Sequence, residues 1–169
     1  MLTKNNCFVR IYISLILCFF MIMRQFEISD AHEVSSVIRR AIMNGDNRGY
    51  SLEHLYSISN HYCAENICSE QDLKTTYVFL DGNIIVGTAT LRGDEIMAVF
   101  ILLEYQGKGI GKKFMNLLEE EAVKKGLSKV WSVSRLPAVS FYRKLEYSFI
   151  REKIHSYWGK GFVMEKSLI

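Results

Sequence analysis

Residues 96–126 constrain the fold more than any other part of the chain, because they read as a strand, a glycine loop and a helix in that order. An apolar run, 96–103, leads into Tyr105-Gln106-Gly107-Lys108-Gly109-Ile110-Gly111-Lys112-Lys113, and an amphipathic stretch follows to Gly126. Three glycines let the main chain approach a bound group with no side chain in between. A helix start leaves N–H groups without intrahelical partners, and its aligned peptide dipoles place roughly half a positive charge there. With Lys108, Lys112 and Lys113 nearby, the stretch predicts a cradle for a phosphate or pyrophosphate.

The spacing narrows the ligand. No Ser or Thr follows Lys112, so the hydroxyl that holds magnesium in a nucleoside-triphosphate loop is missing. The glycines stand as G-x-G-x-G rather than G-x-G-x-x-G, and no acidic residue about 20 positions on completes a dinucleotide fingerprint.

The flanking chain predicts a mixed sheet with helices. Residues 24–28 alternate as a first strand, and Asp30-x-x-Glu33 resembles a capping box opening a helix to about Met43 with Val34, Val37, Ile38, Ala41 and Ile42 on its core face. Ser51 caps a second helix over 52–61 that carries Leu55 and Ile58, and a short third lies near 64–68. Asp81-Gly82-Asn83 joins strands 76–80 and 84–91, and Arg92-Gly93-Asp94 turns the chain into a strand over 95–103. That strand is apolar on both faces after Glu95, which predicts a central position covered by helices on each side. After the loop, Ile110, Phe114, Leu117, Leu118 and Ala122 recur at helical spacing, with Lys112, Lys113, Asn116, Glu119, Glu120 and Lys124 outward and Gly126 as cap. A strand over 129–133 is expected parallel to the Glu95 strand because a helix crosses between them. A short helix near 138–145 and strands over 148–155 and 161–166 complete the chain.

At 169 residues the chain suits one domain with a substantial core. A net charge of +3 comes from interspersed basic and acidic residues rather than a basic stripe, so no nucleic acid partner is implied. Cys7, Cys18, Cys63 and Cys68 show no C-x-x-C or paired metal spacing, which predicts reduced structural thiols and no metal site. Residues 11–23 are apolar behind Lys4 and Arg10, yet bulky residues and Arg24 stand where a small-x-small cleavage site would be. The stretch is short of the roughly 20 residues a membrane span needs.

Two blocks resemble the GNAT superfamily of N-acetyltransferases. Gln106-Gly107-Lys108-Gly109-Ile110-Gly111 is similar to its Q/R-x-x-G-x-G/A signature. Ala138, Phe141, Tyr142, Lys144 and Tyr147 fall in register with its later A-x-x-F-Y-x-K-x-G-F/Y block, where Glu146 replaces the usual glycine. The resemblance implies the GNAT fold, an α/β (α+β) architecture with a mixed central sheet of about six to seven strands flanked by helices on both faces. It divides the chain into an N-terminal extension, 1–22, and an acetyltransferase domain, 23–169. Because 23–31 resembles the opening of many members, a start at Met21 or Met23 is the first reading of the extension, ahead of a membrane-associated segment and of a secreted protein.

The resemblance further implies transfer of acetyl from acetyl-coenzyme A to a primary amine of a small molecule or peptide, in the cytoplasm and without metal. A homodimer stays open, as does membrane association through residues 11–23. Gln106, Gly107, Lys108, Gly109, Ile110 and Gly111 would hold the coenzyme diphosphate, and main-chain N–H groups at Val99, Phe100 and Ile101 would meet the thioester carbonyl. Tyr142 would be the acid that protonates the departing thiolate, and Glu95 the base that takes the amine proton, with a water chain or His54 or His61 as alternatives. Tyr50, His54, Tyr56, His61 and Tyr62 are candidates for acceptor contact. Ser134 and Arg135 stand near where many members carry an Asn that touches the coenzyme, so that contact stays open here. A second function class, a GNAT module that binds acyl-coenzyme A without turnover, also remains, and a third is an interaction protein tethered by the leader segment.

Overall fold

A computed structural model describes residues 21–69, 71–155 and 159–168. They form one seven-stranded sheet and five α-helices. In chain order these are β1 (Met21–Gln25), α1 (Ala31–Asn44), α2 (Leu52–His61), α3 (Ala64–Cys68), β2 (Thr75–Asp81), β3 (Ile84–Arg92), β4 (Glu95–Ile101), α4 (Ile110–Lys124), β5 (Lys129–Ser134), α5 (Val139–Lys144), β6 (Ser148–His155) and β7 (Gly159–Ser167). The expected extension falls on residues 1–20, outside the described residues, apart from Met21 and Ile22, which pair with Asp81 and Leu80 in the sheet. Among the described residues no helix is long and apolar enough to cross a membrane.

The sheet runs β1-β2-β3-β4-β5-β7-β6, with β4 and β5 parallel and the other recorded pairs antiparallel. Alternation along β3 shows how its faces are covered. Gly87 lies against Phe114 of α4, where a Cβ would come within 3.2 Å of the ring. Thr88 and Thr90 instead share a cavity wall with Val34 and Ile38 of α1. Successive strand side chains point to opposite faces, so α1 and α4 cover opposite sides of the sheet. Strand β3 is accordingly buried from Ile85 to Leu91.

Some local expectations shift. The first strand was expected over 24–28 but ends at Gln25, because the Asp30 carboxylate folds the chain back, accepting from Glu27 N–H at 2.8 Å and from both Arg24 Nη atoms at 2.6 and 2.8 Å. Asp30 therefore does not cap α1. Glu33, its expected capping partner, reaches the β3 backbone and accepts from Ile85 N–H at 2.8 Å. On α4, Met115 is fully buried while Leu117 is only half-buried, which rotates the core stripe slightly from the expected one. Glu119 is no outward charge, since it accepts from the Tyr147 hydroxyl at 2.9 Å and from Lys166 Nζ at 2.7 Å. Ser51 caps α2 as expected, accepting from His54 N–H, and Gly126 ends α4 at φ +79°.

Candidate active site

Strand β4 is the centre of the sheet, yet of its residues only Ile96 is fully buried. The reason is a split. Strands β4 and β5 share a single register pair, Glu95 with Trp131. Trp131 is fixed there by two bonds to Asp94, its N–H donating to the carbonyl at 3.0 Å and its Nε1 to the carboxylate at 2.9 Å. Beyond that pair the strands diverge. On the other edge of β4, Thr90 pairs with Met97 and Thr88 with Phe100, so Ala98 and Val99 oppose Ala89 alone in a bulge. Ala98 sits at φ +52°, a backbone position that costs an L-residue energy and is characteristic of functional sites. The covered central strand expected from its apolar pattern is thus half open, and Val99, Phe100 and Ile101 border the opening.

The glycine loop lies at the end of β4. Gly107 and Gly109 occupy the left-handed region at φ +74° and +80°, with no atom within 4 Å of where a Cβ would be. The first rung of the α4 ladder is Lys113 N–H to Gly109 carbonyl at 3.1 Å, so the amides of Ile110, Gly111 and Lys112 precede it and have no intrahelical acceptor. Gln106 ties the loop to the strand before it. Its N–H donates to Leu103 carbonyl and its Nε2 to Ile101 carbonyl, both at 3.1 Å, so it braces the loop against β4. Gly111 is required by packing, since a Cβ there would stand 3.0 Å from Phe141 and 3.3 Å from Ile101. The Ile110 side chain is buried in the core, and Lys108 lies over the Tyr105 ring.

Two ionisable groups flank the split from opposite faces. Tyr142 of α5 is 5 % exposed, and its hydroxyl oxygen accepts from Ser132 Oγ at 3.0 Å; burial pushes its pKa up and the serine bond offsets part of this. On the α1 face, Glu95 is half-buried. Burial lifts its pKa above the ordinary glutamate value despite the opposing pull of Arg92, 3.7 Å away, and of Lys153. Tyr62, after α2, stacks edge-on against Phe100 with centroids 5.4 Å apart. Burial raises the Tyr62 pKa strongly, with charge at Glu95 and then at Tyr142 adding to the rise, so the three groups converge on the opening.

The model of the acetyltransferase (GNAT) family matches residues 40–147. The chain belongs to this family. Among solved structures, a GNAT protein from Rhodopseudomonas palustris superposes with a TM-score of 0.82 at 20% identity, covering 86% of this chain and 94% of that one. PaiA N-acetyltransferase from Thermoplasma acidophilum, solved in complex with coenzyme A, gives 0.74 at 22% identity over 87% and 98%. The ribosomal-protein-S18-alanine N-acetyltransferase from Escherichia coli gives 0.66 at 14% identity over 88% and 94%.

Within this GNAT fold two adjacent cavities lie on the α1 face of the split. The smaller, of about 130 Å³, is lined by Glu95, Arg92, Arg135, Lys153 and Lys160 among others. The larger, of about 430 Å³, is lined by Tyr62, His61, Thr76, Thr88 and Thr90 among others, and shares Arg92, Met97 and His155 with the first. Of the acceptor candidates, Tyr50, His61 and Tyr62 reach these cavities, whereas Tyr56 is 57 % exposed and His54 is held by Ser51 Oγ at 3.1 Å. Sequence reasoning missed Arg92, Ala98, Lys153 and His155. Only Arg92 left a signal there, because a tight Gly93-Asp94 turn sets it directly across from Glu95. Arg135 turns away from the loop, stacking on Tyr50 at 4.3 Å and donating to Asn47 Oδ1 at 3.0 Å. Among the described residues no group of three or more His, Cys, Asp or Glu could hold a metal ion. Cys63 and Cys68 are free thiols.

Proposed function

We propose that this protein transfers acetyl from acetyl-coenzyme A directly to a primary amine of a small molecule or peptide. The observation that carries the reading is the split itself: one register pair at Glu95, then an opening bordered by Tyr142 on one face and Glu95 on the other. A phosphate fits the loop, where partnerless first-turn amides stand beside two left-handed glycines that leave their Cβ space empty.

Acetyl-coenzyme A, when bound, supplies the activated thioester. Main-chain N–H groups along 99–101, freed on the β5 side by the divergence of the strands, serve as donors to an oxygen that gains negative charge. Glu95, with a carboxylate made more basic by burial, accepts the proton of an amine entering from the α1 face. Tyr142 keeps its hydroxyl proton in a site from which water is largely excluded and can give it to a departing thiolate. Two proton-handling groups on opposite sides of one opening favour turnover over coenzyme binding alone.

The test is release of coenzyme A thiol from acetyl-coenzyme A across a library of primary amines, with coenzyme binding followed by calorimetry. Binding together with amine-dependent thiol release supports the proposal. Binding without release for any amine would leave a coenzyme-binding module, and no binding would remove both.

A further inference from the structure

The smaller cavity has an unbalanced charge. Four cations, Arg92, Arg135, Lys153 and Lys160, line it against the single carboxylate of Glu95. Two of them are compensated: Lys160 meets Glu152 at 2.7 Å and Arg92 faces Glu95 at 3.7 Å. The other two make no ion pair within 4 Å among the described residues. Among the described residues no carboxylate lies within ion-pair distance of Arg135, which rests on the Tyr50 ring, donates to the neutral Asn47 amide and feels Asp46, itself paired with Arg48, only at longer range; its Nε is buried without any hydrogen-bond partner. Lys153 stands 5.7 Å from the centre of the Trp131 ring and pulls on Glu95 electrostatically.

A half-buried guanidinium with an orphaned donor is costly unless something negative completes it. Arginine remains charged under these conditions and its planar fork suits a carboxylate or phosphate. Tyr50 is itself fixed, donating to Lys160 carbonyl at 2.7 Å and accepting from Leu136 N–H at 3.2 Å, which holds the surface on which Arg135 rests. The arrangement is preorganised for an anion at the same cavity where Glu95 would receive an amine proton.

Resting on the transferase reading above, we infer that the acceptor is a small amine that carries its own oxyanion, a carboxylate or a phosphate, held by Arg135 and Lys153 while its amine meets Glu95. Because Glu95, Arg135 and Lys153 line one cavity, the amine and the oxyanion would belong to a single molecule. A polycationic acceptor such as a polyamine would bring further positive charge beside four cations, and is selected against.

The experiment measures kcat/KM for L-amino acids, their carboxamides, O-phosphoethanolamine and spermidine, in the wild type, Arg135→Gln, Lys153→Gln and Lys153→Glu, with binding of the best acceptor and its neutral analogue followed by calorimetry. The expected result is a preference of at least about tenfold for the anionic amine over its neutral analogue. That preference falls toward unity in either glutamine variant through KM, with the KM for acetyl-coenzyme A unchanged, and Lys153→Glu moves it toward neutral or cationic amines. The amino acids and phosphoethanolamine distinguish a carboxylate from a phosphate. Efficient transfer to neutral amines or spermidine with no anionic preference would overturn the inference and leave the transferase intact. Coenzyme binding without transfer to any amine would overturn the transferase and the inference together.

Discussion

Ser132 Oγ donates to the hydroxyl oxygen of Tyr142 across 3.0 Å, joining β5 to α5 beside the split. Because the serine occupies an acceptor position on the phenol oxygen, the Tyr142 proton stays free to be given elsewhere. Burial works against ionisation and the serine bond works for it, with burial the larger. Tyr142→Phe keeps the ring in its edge-on contacts with Phe141 and Tyr147 and removes the hydroxyl, both the proton it can give and the oxygen that accepts from Ser132 Oγ. The expected outcome is a fall in kcat of about 10²-fold or more with coenzyme affinity nearly unchanged. Ser132→Ala should cost less and raise the Tyr142 pKa further. Equal kcat in Tyr142→Phe and wild type, measured by thiol release, would remove the acid role.

Glu95 predicts a pH dependence whose sign is fixed by its surroundings. Burial raises its pKa above 4.5, and a base acts only when ionised, so kcat/KM should rise with pH along a limb centred above that value. Arg92 pulls the pKa down; Arg92→Gln should move the limb to higher pH, and Glu95→Gln should abolish it. Stability follows the same linkage. The folded state holds this proton more tightly than the unfolded chain, so the contribution of Glu95 is favourable below 4.5 and lost as pH rises through its folded pKa. Thermal denaturation of Glu95→Gln at pH 8 should therefore give a Tm at or above that of wild type, with the gain vanishing in acid.

Local patterns carried most of the topology. Ser51, Asp81-Gly82-Asn83, Gly126 and the apolar period of α4 each act within a few residues, and each element they predicted is present. What stayed hidden depends on pairs far apart in the chain. The apolar run 96–103 looks like a fully covered strand, because nothing in it records that β5 meets β4 only at Trp131. Glu119 looks solvent-facing by helical period, yet Lys166, 47 residues away, reaches it. The cationic cavity as a whole was hidden too, since Arg92, Arg135 and the β6–β7 pair of Lys153 and Lys160 come from three separate parts of the chain.

Gly109 and Gly111 stand two positions apart and should fail in different ways. A Cβ at Gly109 meets nothing within 4 Å but forces a side chain into φ +80°, at a cost of about 1–2 kcal/mol. A Cβ at Gly111 has ordinary backbone angles and meets Phe141 at 3.0 Å, an overpacking that costs about 1–3 kcal/mol. Gly109→Ala should weaken coenzyme binding first, because the reshaped turn carries the loop amides with it. Gly111→Ala should disturb α5, and with it kcat, through the Phe141 side chain next to Tyr142. Calorimetry with coenzyme A and steady-state kinetics on the two variants separate these outcomes.

Glu146 holds φ +69° in the turn from α5 to β6, the place where the superfamily block carries glycine. Its N–H and that of Tyr147 accept no slack, donating to the Arg143 and Tyr142 carbonyls at 3.0 and 3.1 Å, so the turn cannot relax to a more comfortable angle without breaking them. A left-handed L-residue costs about 1–2 kcal/mol, while glycine in its place adds up to about 1 kcal/mol of unfolded-chain entropy. The first effect is the larger, so Glu146→Gly should stabilise the protein by about 0.5–1 kcal/mol, a rise in Tm of about 1–4 °C for a domain of this size. Glu146→Ala keeps the strain and loses only the carboxylate, so its Tm should stay near that of wild type. A glycine variant that melts lower than the alanine variant would show that the turn owes its shape to something other than its hydrogen bonds.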